Sequence, residues 1–282
     1  MRFLKNLFKR NPNRFKKTKW DDLIADNPFS KKNKNSANSY SNSIPKSVLQ
    51  IIGINVAVFL LLWICEIALP MTWYQMIVKM LAVPTDIEIL YKPWTVITSA
   101  FTHLSFGHIL GNMLAIFFIA PYFKMAFIDK QIWNLYLLGH FVGIFFSIGI
   151  NILIFDDHGM ALGASCGVSA LVAGVCFKFP QMPVNIFFIN TTLKWLIAIY
   201  VIQSIFMLFS PNMVGGIGHL FGMLLGVLYV HLLTKNIEIG KIFDSITKLK
   251  IKKTGKGIKY VSMYSEKSEN SIKNIINKNF KK

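Results

Sequence analysis

Positive charge is almost absent from the middle of this chain, and that constrains the fold more than any other feature. Of 31 Lys and Arg, 12 lie in residues 1–46 and 13 in residues 235–282, leaving six between. That middle is built from long apolar runs, and the chain as a whole is 53% apolar. A soluble domain spreads its charge over its surface. Charge confined to two ends, around runs long enough to cross hydrocarbon, describes a membrane body with two basic tails. The formal charge of +18 therefore does not point to nucleic acid. Basic residues beside membrane spans hold cytoplasmic ends and meet anionic lipid.

The domain reading is a basic, largely disordered tail over 1–46, a membrane body over 47–234 and a second basic tail over 235–282. Met1–Phe8 resembles a short amphipathic stretch that Pro12 limits. The apolar runs predict six spans, near 48–69, 105–123, 132–155, 163–179, 193–209 and 215–233. Residues 71–100, with Trp73, Tyr74, Pro84, Pro93 and Trp94, read as an interfacial loop in the outer leaflet. Lys124, Lys130, Lys178, Lys194 and Lys235 fall on one set of connections. Glu66, Asp86, Glu88, Asp156 and Asp157 fall on the other, opposed only by Lys79 and Lys92. The positive-inside rule then places both termini in the cytoplasm. The expected location is a bacterial inner membrane.

Within this body a few polar residues stand at one depth. Ser165 lies in Gly163-Ala164-Ser165-Cys166-Gly167 near the outer end of the fourth span. His219 lies in Gly218-His219-Leu220-Phe221-Gly222 near the outer end of the sixth, and His108 and Asn112 near that of the second. At about 1.5 Å per residue, all fall within roughly 10–12 Å of one surface. Polar groups are costly in hydrocarbon and tend to be functional there. Serine is a weak nucleophile that needs an adjacent base, and a neutral histidine supplies one. Ser165, Ser169, Ala173 and Cys176 share a small face of the fourth span, and Gly222 and Gly226 share the His219 face. Small faces let membrane helices approach closely. His108 and Asn112, four residues apart, project together and with the Ser165 N–H form a candidate oxyanion hole.

Each residue also has a plainer reading. A lone intramembrane serine is more often packing than catalysis, and His108 with Asn112 equally ties a span to a loop. The G-x-S-x-G string belongs to soluble hydrolases only after a strand and with an acid in the triad, and neither accompanies it here. His103 and His108 make a poor metal pair without a nearby carboxylate. No metal or other cofactor is expected. Cys65, Cys166 and Cys176 form neither a metal spacing nor an obvious disulfide framework. His140 reads as a bundle contact, His158 as a loop residue and His231 as interfacial, and Trp94 anchors the outer loop.

Taken in order, His103-x4-His108-x3-Asn112, Gly163-Ala164-Ser165 and His219-x2-Gly222-x3-Gly226 resemble the motifs of the rhomboid intramembrane serine proteases. The resemblance covers about 48–234. It implies an all-α bundle of six transmembrane helices, to which composition adds flexible basic tails. It also implies a Ser165–His219 dyad without an acid, and an oxyanion hole from the Ser165 backbone, His108 and Asn112. His103, Gly163, Gly222 and Gly226 would support that site. The implied partners are transmembrane protein substrates and membrane lipid. Cys166, Thr95 and Ser169 depart from the family pattern, and the Cys166 side chain is expected to point away from His219 into packing. Two rivals stand beside this reading. One is an inactive relative that binds clients. The other is a transporter, disfavoured by the lack of intramembrane carboxylates.

Overall fold

The computed structural model describes residues 44–155, 158–186, 189–239, 250–254 and 257–261. Most of residues 1–46, including Met1–Phe8, lies outside them, as do Asp156 and Asp157. The chain enters its first helix, α1 (Lys46–Ala68), after Pro45, and Pro70 opens α2 (Met71–Leu81). Proline suits these boundaries because its fixed φ starts a helix that it cannot extend from behind. A two-residue strand β1 (Val83–Pro84) follows, then a 3-10 turn at Ile87–Tyr91, α3 (Thr95–Thr98) and a second 3-10 turn at Ser99–Phe101. The segment predicted as an interfacial loop is therefore largely helical. Its prolines break the helices into short pieces without removing them.

The body continues with α4 (Phe106–Ala126), α5 (Asp129–Ile150), a π turn at Asn151–Phe155 and β2 (Met160–Ala161). Next come α6 (Ser165–Lys178), the hairpin β3 (Pro183–Ile186) and β4 (Ile189–Thr192), α7 (Leu193–Met207) and α8 (Met213–Thr234). Within the C-terminal tail, β5 (Lys250–Thr254) pairs antiparallel with β6 (Gly257–Val261).

Four helices are long and apolar enough to cross a membrane: α1, α4, α5 with its π turn, and α8. The six expected from hydropathy include two shorter ones, α6 with 14 residues and α7 with 15. At about 1.5 Å per residue, α6 is roughly 21 Å long, short of the ~30 Å hydrocarbon core. Its start is cut back to Ser165 by the turn at Gly163, and Phe179 leaves helical geometry ahead of Pro180. The molecule is nonetheless a multi-pass membrane protein by its long apolar helices.

Burial is layered as the solvent demands. Eleven of the 14 residues of α6 are buried, so this short helix is the centre of the bundle, packed against α4, α5, α7 and α8. By contrast α1 shows Leu60, Leu61, Trp63, Ile64 and Ile67 to the outside, where lipid satisfies them. On the side where α4, α6 and α8 begin, β1 pairs with β2 through Val83–Ala161 and Pro84–Met160. Val83 packs on Ile144 and Ile148 of α5. The strand that leads into Ser165 is thereby tied to the loop after α2.

Candidate active site

Ser105 caps α4, its hydroxyl accepting from the His108 N–H at 3.4 Å. This fixes where the helix starts, and so which side chains share its first turns. His108 then lies one turn before Asn112. The His103 ring lies just ahead of the cap and meets His108 edge to face, with centroids 4.8 Å apart. Asn112 Nδ2 is 3.0 Å from His103 Nε2, and the Ala164 N–H donates to the same nitrogen at 3.3 Å. A backbone N–H only donates, so Nε2 is the accepting nitrogen. The ring is then the neutral tautomer with its proton on Nδ1. Asn112 is left with one amide N–H for the space in front of it.

The turn before Ser165 depends on glycine. Gly163 has φ +119°, a region that side chains other than glycine rarely adopt. A Cβ there would also stand 2.5 Å from His108 Cε1 and 2.8 Å from His108 Nε2. The His108 ring thus lies directly against the backbone two residues before Ser165. The Gly163 N–H donates to the Ser99 carbonyl at 2.9 Å. Ser165 begins α6, whose first N–H groups have no partner inside the helix. They and the helix dipole favour negative charge at this point.

His219 arrives from α8 because α8 packs on α6 at backbone distance. A Cβ on Gly222 would collide with the Cys166 carbonyl, and one on Gly226 with the Ala170 carbonyl. A Cβ on Gly218 would meet Cys166 Sγ at 2.7 Å, and one on Gly143 of α5 would meet the same sulfur at 3.0 Å. The Cys166 side chain is wedged between α5 and α8, into packing. The small face on α5, Gly139 and Gly143, was not singled out in the sequence. Its signal was there: glycines four apart, on one helical face.

A cavity of about 720 Å³ opens at this end. Ser165, His219, His108, Asn112 and Gly163 all line it, as do Ser169, Tyr200 and Gln203. His103 stands behind Asn112, while Gly222 and Gly226 serve at the helix contact. Ser165 and His219 share the cavity without a hydrogen bond between them among the described residues. His231 lies in the last turn of α8, far along that helix from His219. No cluster of three metal-ligating side chains occurs among the described residues. Thr85 and Gly159 border the cavity from the loop side, where the His158 ring sits 2.9 Å from Asp86 Oδ2. Hydrogen bonds from His158 and from the Glu88 N–H hold the Asp86 carboxyl below its ordinary pKa. Trp94 donates its indole N–H to the Met80 carbonyl at 2.9 Å, joining the loop to α2. Buried Thr95 bonds the Lys92 carbonyl at 2.5 Å.

The Rhomboid domain family model matches residues 91–236, just over half the chain, from the turn before Trp94 to the end of α8. The chain belongs to the rhomboid family. Among curated proteins none matches it. The rhomboid match takes in every residue that lines the cavity except Thr85. Family membership supports a role in intramembrane proteolysis and, with it, membrane-embedded protein substrates.

Proposed function

We propose that this rhomboid is an intramembrane serine endopeptidase that cleaves membrane-anchored proteins in or beside a transmembrane segment, near the outer face. The observation that carries this reading is the cavity at which Ser165, His219, His108 and Asn112 meet. Ser165 Oγ attacks the substrate carbonyl while His219 takes its proton. Charge then develops on the substrate oxygen. The Ser165 N–H, the free amide N–H of Asn112 and the His108 ring receive it. His219 returns the proton to the leaving amine, and water cleaves the acyl-enzyme by the same route. The reading does not require a Ser165–His219 bond at rest, because catalytic hydrogen bonds tighten as substrate binds.

The basic tails and connections favour cytoplasmic termini by the positive-inside rule, with the cavity on the outer side. The two short helices complete a six-helix bundle, with α6 shielded from lipid by its neighbours. A helical substrate has its backbone hydrogen-bonded already, so segments with small, helix-breaking residues near the outer interface are preferred.

The test is labelling by a serine-directed fluorophosphonate, with cleavage of a model transmembrane substrate. Wild type labels and cleaves, Ser165→Ala does neither, and His219→Ala loses cleavage. Cleavage by purified Ser165→Ala would refute the assignment. A folded wild type inert in both assays would favour a client-binding protein.

A further inference from the structure

Two N–H groups precede Ser165, at Gly163 and Ala164, and a single short segment receives both. The Gly163 N–H goes to the Ser99 carbonyl at 2.9 Å, and the Ala164 N–H to His103 Nε2 at 3.3 Å. Residues 99–103 are thus the strut on which the nucleophile's turn rests. The strut is held from behind by α5. His140 Nε2 lies 3.0 Å from Ser99 Oγ. One turn earlier, Tyr136 donates its hydroxyl proton to the Ala100 carbonyl at 2.6 Å. Asn55 of α1 donates to the same Tyr136 oxygen at 3.3 Å. His140, Ser99 and Tyr136 are all buried. A buried imidazole and hydroxyl are costly unless bonded, so this pair has a strong preference for one geometry.

We propose that His140 is a positioning residue for the chemistry at Ser165, acting through Ser99. Neither side chain touches the cavity, so neither is catalytic. His140 fixes the Ser99 side chain, and with it the peptide whose carbonyl holds Gly163. Gly163 in turn sets the direction in which α6 starts and the face that His108 packs against. Tyr136 gives the strut a second attachment four residues along α5, so that losing His140 lets Ser99 rotate without detaching the segment. The effect of His140 on the site is therefore larger than its effect on the fold. This inference rests on the proposed function of Ser165, and its test has one arm that does not.

The experiment compares wild type, His140→Ala, His140→Gln, Ser99→Ala and the double variant His140→Ala/Ser99→Ala in nanodiscs. It measures kcat and KM for a model substrate, fluorophosphonate labelling rate, Tm, and hydrogen exchange of the peptide containing Gly163 and Ala164. His140→Ala lowers kcat and labelling about tenfold with KM nearly unchanged, and exchange at Gly163–Ala164 rises at least tenfold. Gln, whose amide reaches Ser99, restores part of each. The double variant is no worse than the worse single one, because both remove one interaction. The idea is overturned if exchange at Gly163–Ala164 is unchanged in His140→Ala. It is also overturned if kcat falls only in step with Tm without rescue by Gln, or if the two losses add. A wild type that neither cleaves nor labels would sink the function of Ser165 instead, and the exchange arm would still decide whether His140 holds the turn.

Discussion

Gly163 shows how much one residue decides here. Its positive φ and the His108 ring against its Cα are separate demands that only glycine meets together. Forcing a side chain into such backbone costs about 1–3 kcal/mol, and a Cβ would also displace the ring. Gly163→Ala is expected to lower kcat by about tenfold or more with a small loss of Tm, read from substrate cleavage and a thermal melt in one detergent. Unchanged kcat would mean that the turn relaxes freely. His103 is the complementary case, a ring whose single accepting nitrogen takes one bond from Asn112 and one from Ala164. The motif His103-x4-His108-x3-Asn112 was legible in the sequence, and so was the shared face of His108 with Asn112. The bond from His103 to Ala164 was not, because it joins residues 61 positions apart.

Among elements, α6 matters most. It is too short to span on its own, and its small residues are there for its neighbours. Gly226 faces the Ala170 carbonyl and Gly222 the Cys166 carbonyl, atoms of helix backbone that cannot move aside. Gly226→Ala therefore pushes α8 outward, at a cost of about 1–3 kcal/mol. It is expected to lower Tm by several degrees and to slow fluorophosphonate labelling, since His219 moves with α8. A fully wild-type melt and labelling rate would show that the two helices are not in backbone contact. The short β1–β2 ladder makes a second element-scale prediction. Asp86 is held below its ordinary pKa, so its contribution is full above the unfolded-state value, about 3.9. It is lost as pH falls through the lower folded value. The pair with His158 is exposed, so the contribution is about 0–1 kcal/mol. Asp86→Asn should speed proteolytic nicking of the 83–86 and 158–161 segments at pH 6, and its difference from wild type should shrink at pH 3, below the unfolded-state value. An equal difference at both pH values would rule out the carboxylate as the cause.

On the scale of the whole molecule, every candidate group sits at one end of the bundle. This follows from the antiparallel run of the helices. α4, α6 and α8 all start at that end, α5 finishes there, and β1 and β2 close over it. Of the six basic residues between the tails, Lys124, Lys130, Lys178 and Lys194 lie at the other end, and Lys79 and Lys92 at this one. Tags at either terminus are expected to be inaccessible in intact cells, and a tag between Asp156 and His158 accessible. Labelling of the termini alone would reverse the orientation and place the cavity on the cytoplasmic side.

The sequence by itself determined the membrane body, the apolar runs and the motif residues, because hydropathy and helical periodicity are local properties. It also carried the small faces of α6 and α8, since spacing of four is visible without a fold. Tertiary structure decided the rest. It shortened α6, because a left-handed turn at Gly163 and the break at Phe179 end the helix regardless of how apolar its flanks are. It turned an expected loop into α2 and a series of short helices between prolines, tied to α5 where Val83 and Ile89 meet Ile144 and Ile148. It also joined Ser99 to His140, 41 residues apart, a pairing that no local pattern announces because each polar group is buried at a cost that the bond to the other offsets.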